Sequence, residues 1–237
     1  FSIINIKDFL DPTILSNFLV LVLVLVMVYT TVRSNKIKNG TRFFLITAVV
    51  LIAWYLIILI PGIMGFYTLD PLFAPNIFFG FLILFHLLRK AYYSKSVQAV
   101  ADKIPVPFII GIQVFRLIGF VFLILWARGT LPAIFAFPAG IGDIIVGLTA
   151  PFVALLFYLK KPYSRKLAIW WNYLGIADLV IAISVGILAF SRPIPFIPIT
   201  PTTELMSLFP LVMVPLFIVP LDFLLHFLSL RVLKKNN

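Results

Sequence analysis

Residues 107–126 read PFIIGIQVFRLIGFVFLILW, twenty positions of nearly unbroken apolar character. A helix of that length spans about 30 Å, the hydrocarbon thickness of a bilayer. Near its middle stand Gln113 and Arg116. A cation at that depth costs roughly 2.5–3.5 kcal/mol on insertion scales. Arg116 is therefore expected to face protein or water, and to meet carboxylates from neighbouring helices. Two candidates lie at the middle of later apolar stretches: Asp143 in PAGIGDIIVG (138–147) and Asp178 in YLGIADLVIA (173–182).

The rest of the chain repeats this pattern. It has 237 residues, is 62% hydrophobic and only 11% charged. Soluble domains run at roughly 45–50% apolar and about 25% charged. A transmembrane β-barrel would show alternating segments of about ten residues, whereas these runs are continuous. The fold class read from the sequence is all-α: a polytopic membrane protein, a bundle of seven transmembrane helices. The spans fall at about 12–32, 43–60, 72–88, 107–126, 131–158, 167–190 and 205–230. The fifth is long enough to tilt, or to break at Pro138 or Pro151. Residues 1–11, FSIINIKDFLD, alternate large apolar and polar side chains and suit a short interfacial segment. Residues 1–237 then form a single seven-helix transmembrane domain. No cleavable signal pattern is visible, so the first span is expected to act as its own targeting signal.

Orientation follows from the basic residues. The segments after the first, third, fifth and seventh spans hold four, four, four and three Lys or Arg; those after the second, fourth and sixth hold none, one and one. Basic loops stay in the cytoplasm, so the N-terminus is expected outside and the C-terminus cytoplasmic. The loops are rich in Lys, Asn and Ile, which hints at an AT-rich bacterial genome and an inner-membrane location. The net charge of +11 sits in these short loops. Anionic membrane lipids are the fitting partner, and nucleic acid is not. The absence of cysteine excludes disulfides, thiolate catalysis and thiolate metal sites.

The chemistry gathers around Arg116. Gln113 lies one turn before it on the same face. Asp143 and Asp178 sit near the middles of their spans, with Gly140, Gly147 and Gly175 letting other backbones approach. Asn172 lies toward the cytoplasmic end of the sixth span. Asp222 and His226 share a face of the seventh, four residues apart in its cytoplasmic half, and are expected to link the site to the cytoplasm. One arginine faces three aspartates, and the surplus carboxylates call for protons, water, a histidine or a cation. The expected ligand or ion pathway is thus Gln113, Arg116, Asp143, Asn172, Asp178, Asp222 and His226. Intramembrane ionisable residues mark such pathways, although a buried pair that only fixes helix packing would use the same residues. Trp170 and Trp171, with Tyr158 and Tyr163, read as an interfacial belt. Pro210, Pro215 and Pro220 recur at five-residue intervals and favour kinks in the last span.

The chain has two histidines, and as a pair His86 and His226 could ligate a haem. No H-x-x-x-H or E-x-x-H spacing supports zinc or di-iron. Asp222-x-x-x-His226 resembles the last-helix Asp-x-x-x-Lys of microbial rhodopsins. Position 226 is His, however, and no span contains Lys, so no retinal Schiff base can form.

The expected function is that of a small transporter, channel or ligand-binding membrane protein, handling a proton, a cation or a small ligand at a midplane site, and not of an enzyme. The alternatives are a haem- or quinone-linked redox subunit, or a non-catalytic accessory subunit held by partner membrane subunits.

Overall fold

In a bilayer every backbone donor and acceptor must be satisfied within the protein, and a long apolar run does this by forming a helix. The computed structural model, which describes residues 12–68, 75–190 and 200–235, follows that rule. The helices are α1 (Pro12–Ser34), α2 (Gly40–Ile63), α3 (Pro75–Tyr93), α4 (Lys95–Ala101), α5 (Val106–Ala127), α6 (Ala133–Tyr158), α7 (Ser164–Leu188) and α8 (Val214–Lys235). There is no strand among the described residues. Six of the helices, α1, α2, α5, α6, α7 and α8, are long and apolar enough to cross a membrane. The protein is a helical, multi-pass membrane protein. The expected interfacial segment 1–11, the loop position Asp70 and the proline-rich residues 191–199 lie outside the described residues.

The bundle is built around α8. Its most apolar window is 83% buried, against 17–44% for the other five spans. The most apolar helix, α2, with a mean hydropathy of 2.9, is the least covered; α8 has 1.9. Lipid is as apolar as leucine, so hydrophobicity does not drive a helix inward here. The centre goes to the helix whose polar side chains need partners.

Two expectations about regularity are corrected. The stretch around Arg116 is not plain α-helix: Ile112–Gly119 winds as a 3-10 helix between two α-helical ends. Such runs seldom exceed four residues. Gln113 and Arg116, three apart, are eclipsed on its one face. The last span does not begin at Leu205. Thr203–Ser207 forms a separate 3-10 turn, and the transmembrane helix starts with a π-turn over Val214–Ile218. Its cause is proline: Pro215 and Pro220 bring no N–H to the helical ladder. The Leu216 carbonyl, which would otherwise bond residue 220, accepts from Trp54 Nε1 on α2 at 3.1 Å. By contrast, α6 runs unbroken through both Pro138 and Pro151.

The basic segments meet at one end. Asp102, just after α4, accepts from Lys235 Nζ at 2.6 Å and stands 3.4 Å from Arg231 Nε. Arg165, at the start of α7, donates to the Leu233 carbonyl. Val28 and Val32 of α1 pack with Val100 of α4, and Ile37, Phe43 and Phe44 lean on them. The segments following α1, α3, α6 and α8 therefore share one face of the bundle, and α1 begins at the opposite one.

Candidate functional site

Arg116 sits midway along α5 and is 1% exposed. Each nitrogen of its guanidinium has a partner. Nε donates to Asp143 Oδ1 of α6 at 2.8 Å, and Nη2 lies 2.7 Å from the same oxygen. Nη2 also donates to Asp178 Oδ2 of α7. Asp222 Oδ2 of α8 stands 3.3 Å from Nε. The planar fork suits this use, since it serves several carboxylates at fixed angles. One cation thus ties together four helices.

Nη1 faces His226 Nε2 at 3.2 Å, and His226 Nδ1 faces Asn172 Oδ1 at 3.0 Å. An arginine nitrogen can only donate, so Nε2 accepts and the ring proton lies on Nδ1, donated to Asn172. The tautomer is assigned by the network. Asn172 Nδ2 then donates to Ser229 Oγ at 3.0 Å and to the Ala168 carbonyl at 2.7 Å. A continuous chain of hydrogen bonds runs from Arg116 to Ser229, one turn nearer the basic end of α8 than His226.

Glycine makes this crowding possible. A Cβ at Gly142 would overlap the Asp178 carboxylate, and one at Gly175 would overlap the His226 imidazole. At Gly147 it would come within 2.7 Å of the Leu117 nitrogen, next to Arg116.

A cavity opens on the other side of the cluster, away from the basic end. The space open to water centres is about 30 Å³, room for about two waters. Its polar lining is Thr13 and Asn17 from the first turns of α1, with Arg116, Asp143 and Asp222. Asp222 Oδ1 and Asn17 Nδ2 are buried without a protein hydrogen-bond partner.

Of the residues singled out in the sequence, Arg116, Asp143, Asp178, Asp222, His226 and Asn172 are brought into one network. Gln113 is fully buried on the same face, but neither atom of its amide has a partner. The paired-histidine haem arrangement is not formed. His226 has no exposed surface and both ring nitrogens are engaged, while His86 is exposed on α3. Among the described residues no three His, Asp or Glu side chains group to hold a metal ion. The aromatic belt is corrected in one member. Trp170 is 64% exposed, but Trp171 is 4% exposed, donates to Thr149 Oγ1 at 2.9 Å, and lies with its ring 5.4 Å from His226.

Sequence reasoning missed Thr13, Asn17 and Ser229. The signal was present. Thr13 and Asn17 are polar and four apart in an apolar span, and Ser229 follows His226 at three.

No curated protein and no solved structure matches the chain. The sequence pattern of one family, described as a domain of unknown function (DUF8737), matches residues 72–234 and so covers α3 to α8 with the whole arginine cluster. That is more than two thirds of the chain, and the protein belongs to the DUF8737 family.

Proposed function

We propose that the protein is a small transporter or channel whose midplane site, centred on Arg116, handles a proton or a small cation. One observation carries the reading. A single guanidinium faces three aspartates, which leaves a formal surplus of two negative charges if all are ionised. An uncompensated buried charge costs several kcal/mol, and a network used only for packing would be balanced. The surplus calls for mobile positive charge. An anionic ligand is not favoured, because the guanidinium is already engaged on every nitrogen. A large organic ligand is not favoured either: the cavity falls far below the 300–1,000 Å³ of such sites.

In this reading α3 is a further crossing. Seven spans place the N-terminus outside and the C-terminus in the cytoplasm. The convergence of the basic segments at one end supports that orientation. The membrane is a bacterial inner one, and its anionic lipids cover the basic end. The chain acts as one domain without chemistry of its own, and any partner membrane subunits would dock along its lipid-facing helices.

The test is flux. Protein reconstituted in liposomes with an entrapped pH-sensitive dye should acidify or alkalinise the lumen under an imposed potential. Asp143→Asn should abolish the signal while the variant still elutes as a folded species. Undiminished flux in that variant, or no flux of protons or sodium in the parent protein, removes this function.

A further inference from the structure

We propose that Asp222 is the group that takes up the proton, and that the cavity beneath α1 is its aqueous access from the end opposite the basic loops. This rests on the midplane-site reading and names its ligand and its entry side.

Two features distinguish Asp222 from the other two aspartates. Asp143 and Asp178 each accept a direct hydrogen bond from the guanidinium, whereas Asp222 approaches Nε only to 3.3 Å. Asp222 keeps one oxygen, Oδ1, with no protein partner, although the residue is 1% exposed. Like Asp143, it lines the cavity, so that free oxygen has a polar space beside it. The same cavity is lined by Asn17, 2% exposed, whose Nδ2 is likewise without a partner. An orphan donor and an orphan acceptor facing one small polar space are what bridging waters satisfy. Asn17 is the positioning residue for that water.

The step is simple. A hydronium in the cavity gives one proton to Asp222 Oδ1; an O–H bond forms there and a neutral water remains. The carboxyl stays on the Arg116 side through Oδ2, and one of the two surplus charges is removed. The charged groups facing Asp222 are Arg116 from α5, Asp143 from α6 and Asp178 from α7, with His226 one turn on along its own helix. From α1 come only the uncharged Thr13 and Asn17. Asp102, beside α4, is held by Lys235 at the far end of α8. On α2 and α3 the basic residues Arg42, His86, Arg89 and Lys90 are exposed, and Tyr55 of α2 is buried with its ring against Phe217 of α8. A metal cation is the less suited occupant, because the guanidinium already stands where the aspartates converge.

Infrared difference spectra of the full-length protein in nanodiscs, recorded between two pH values in light and in heavy water, test the assignment. A carboxylic C=O band that titrates with pH and shifts in heavy water is expected. It should be absent in Asp222→Asn and retained in Asp143→Asn. Asn17→Leu, which fills the cavity, should slow its deuterium exchange at least tenfold without abolishing it. If Asp222→Asn does not fold, Asp222→Glu should move the band to a new frequency. A band that survives Asp222→Asn, or a spectrum that responds to sodium at fixed pH but not to pH, overturns the proposal. Flux separates the two readings. Proton flux that persists in Asp222→Asn but not in Asp143→Asn removes Asp222 while keeping the transporter. A titrating Asp222 band in a protein that moves no protons keeps the proton site and removes transport.

Discussion

Gly175 lies directly beneath the imidazole of His226: a Cβ at 175 would overlap both Cε1 and Nε2 and stand 3.2 Å from Arg116 Nη1. The histidine cannot yield by a rotamer change alone, because Asn172 and Arg116 hold its two nitrogens.

Gly175→Ala should therefore destabilise the fold by about 1–3 kcal/mol, the usual cost of overpacking. The measurement is the melting temperature in mild detergent. Gly129→Ala is the contrast: nothing lies within 4 Å of its Cβ, although its φ of +70° carries its own backbone cost. If Gly175→Ala melts like the parent protein, the imidazole does not sit where it is described.

Arg116→Ala leaves three carboxylates in the interior with no cation. Removing one side of a buried ion pair costs about 3–5 kcal/mol, so little folded protein should be recovered. Arg116→Lys keeps the charge but loses the planar fork, and should fall between the two. Yield of monodisperse protein on gel filtration ranks them. Equal yields of the Lys and Ala variants would mean that the fork geometry is irrelevant.

Trp54→Phe removes the donor to the Leu216 carbonyl while keeping an aromatic ring near Phe217, now 5.0 Å away. A buried acceptor left unpaired costs about 1–3 kcal/mol. Pro220→Ala offers that carbonyl a backbone N–H, so the loss should shrink when both changes are combined. A double-mutant cycle on thermal stability measures the coupling; strict additivity would refute the link.

Along the hydrogen-bond chain, position should set the cost. Ser229→Ala takes one acceptor from Asn172, whose amide still reaches the Ala168 carbonyl, and should cost about 0.5–1.5 kcal/mol. Asn172→Leu strands the His226 Nδ1 proton in the core and should cost about 1–3 kcal/mol. Thermal unfolding in detergent compares the two, and the reverse order would contradict the tautomer.

Asp102→Ala should be nearly silent. Its partners Lys235 and Arg231 have side chains 59% and 27% exposed, and such pairs contribute about 0–1 kcal/mol and weaken with salt. A loss of more than that, undiminished at high salt, would mean that the end of α8 is held by something stronger.

The helical membrane class was legible in the sequence because it needs only length and apolarity. Residues 107–126 or 12–32 can satisfy their backbones in a bilayer in no other way. The presence of a polar centre was legible for the same reason, since Arg116 inside such a run must be met by acids. The 3-10 winding around Arg116 and the π-turn before Pro220 were not. The prolines foretold an irregularity near 215–220 but not its form, in which Trp54 of a neighbouring helix takes the Leu216 carbonyl. Nor could periodicity tell that Trp171 turns inward to Thr149 while Trp170 faces out.

By itself, then, the sequence determined that these segments are helices in a membrane and that Arg116 requires partners, since transfer of charge and backbone from water depends on composition alone. Tertiary structure alone decided which carboxylates meet which nitrogen, that α8 is central while the more apolar α2 lies outside, and that Asp222 keeps an oxygen free beside Asn17. Those outcomes follow from the close approach of α1, α5, α6, α7 and α8, which no single helix encodes.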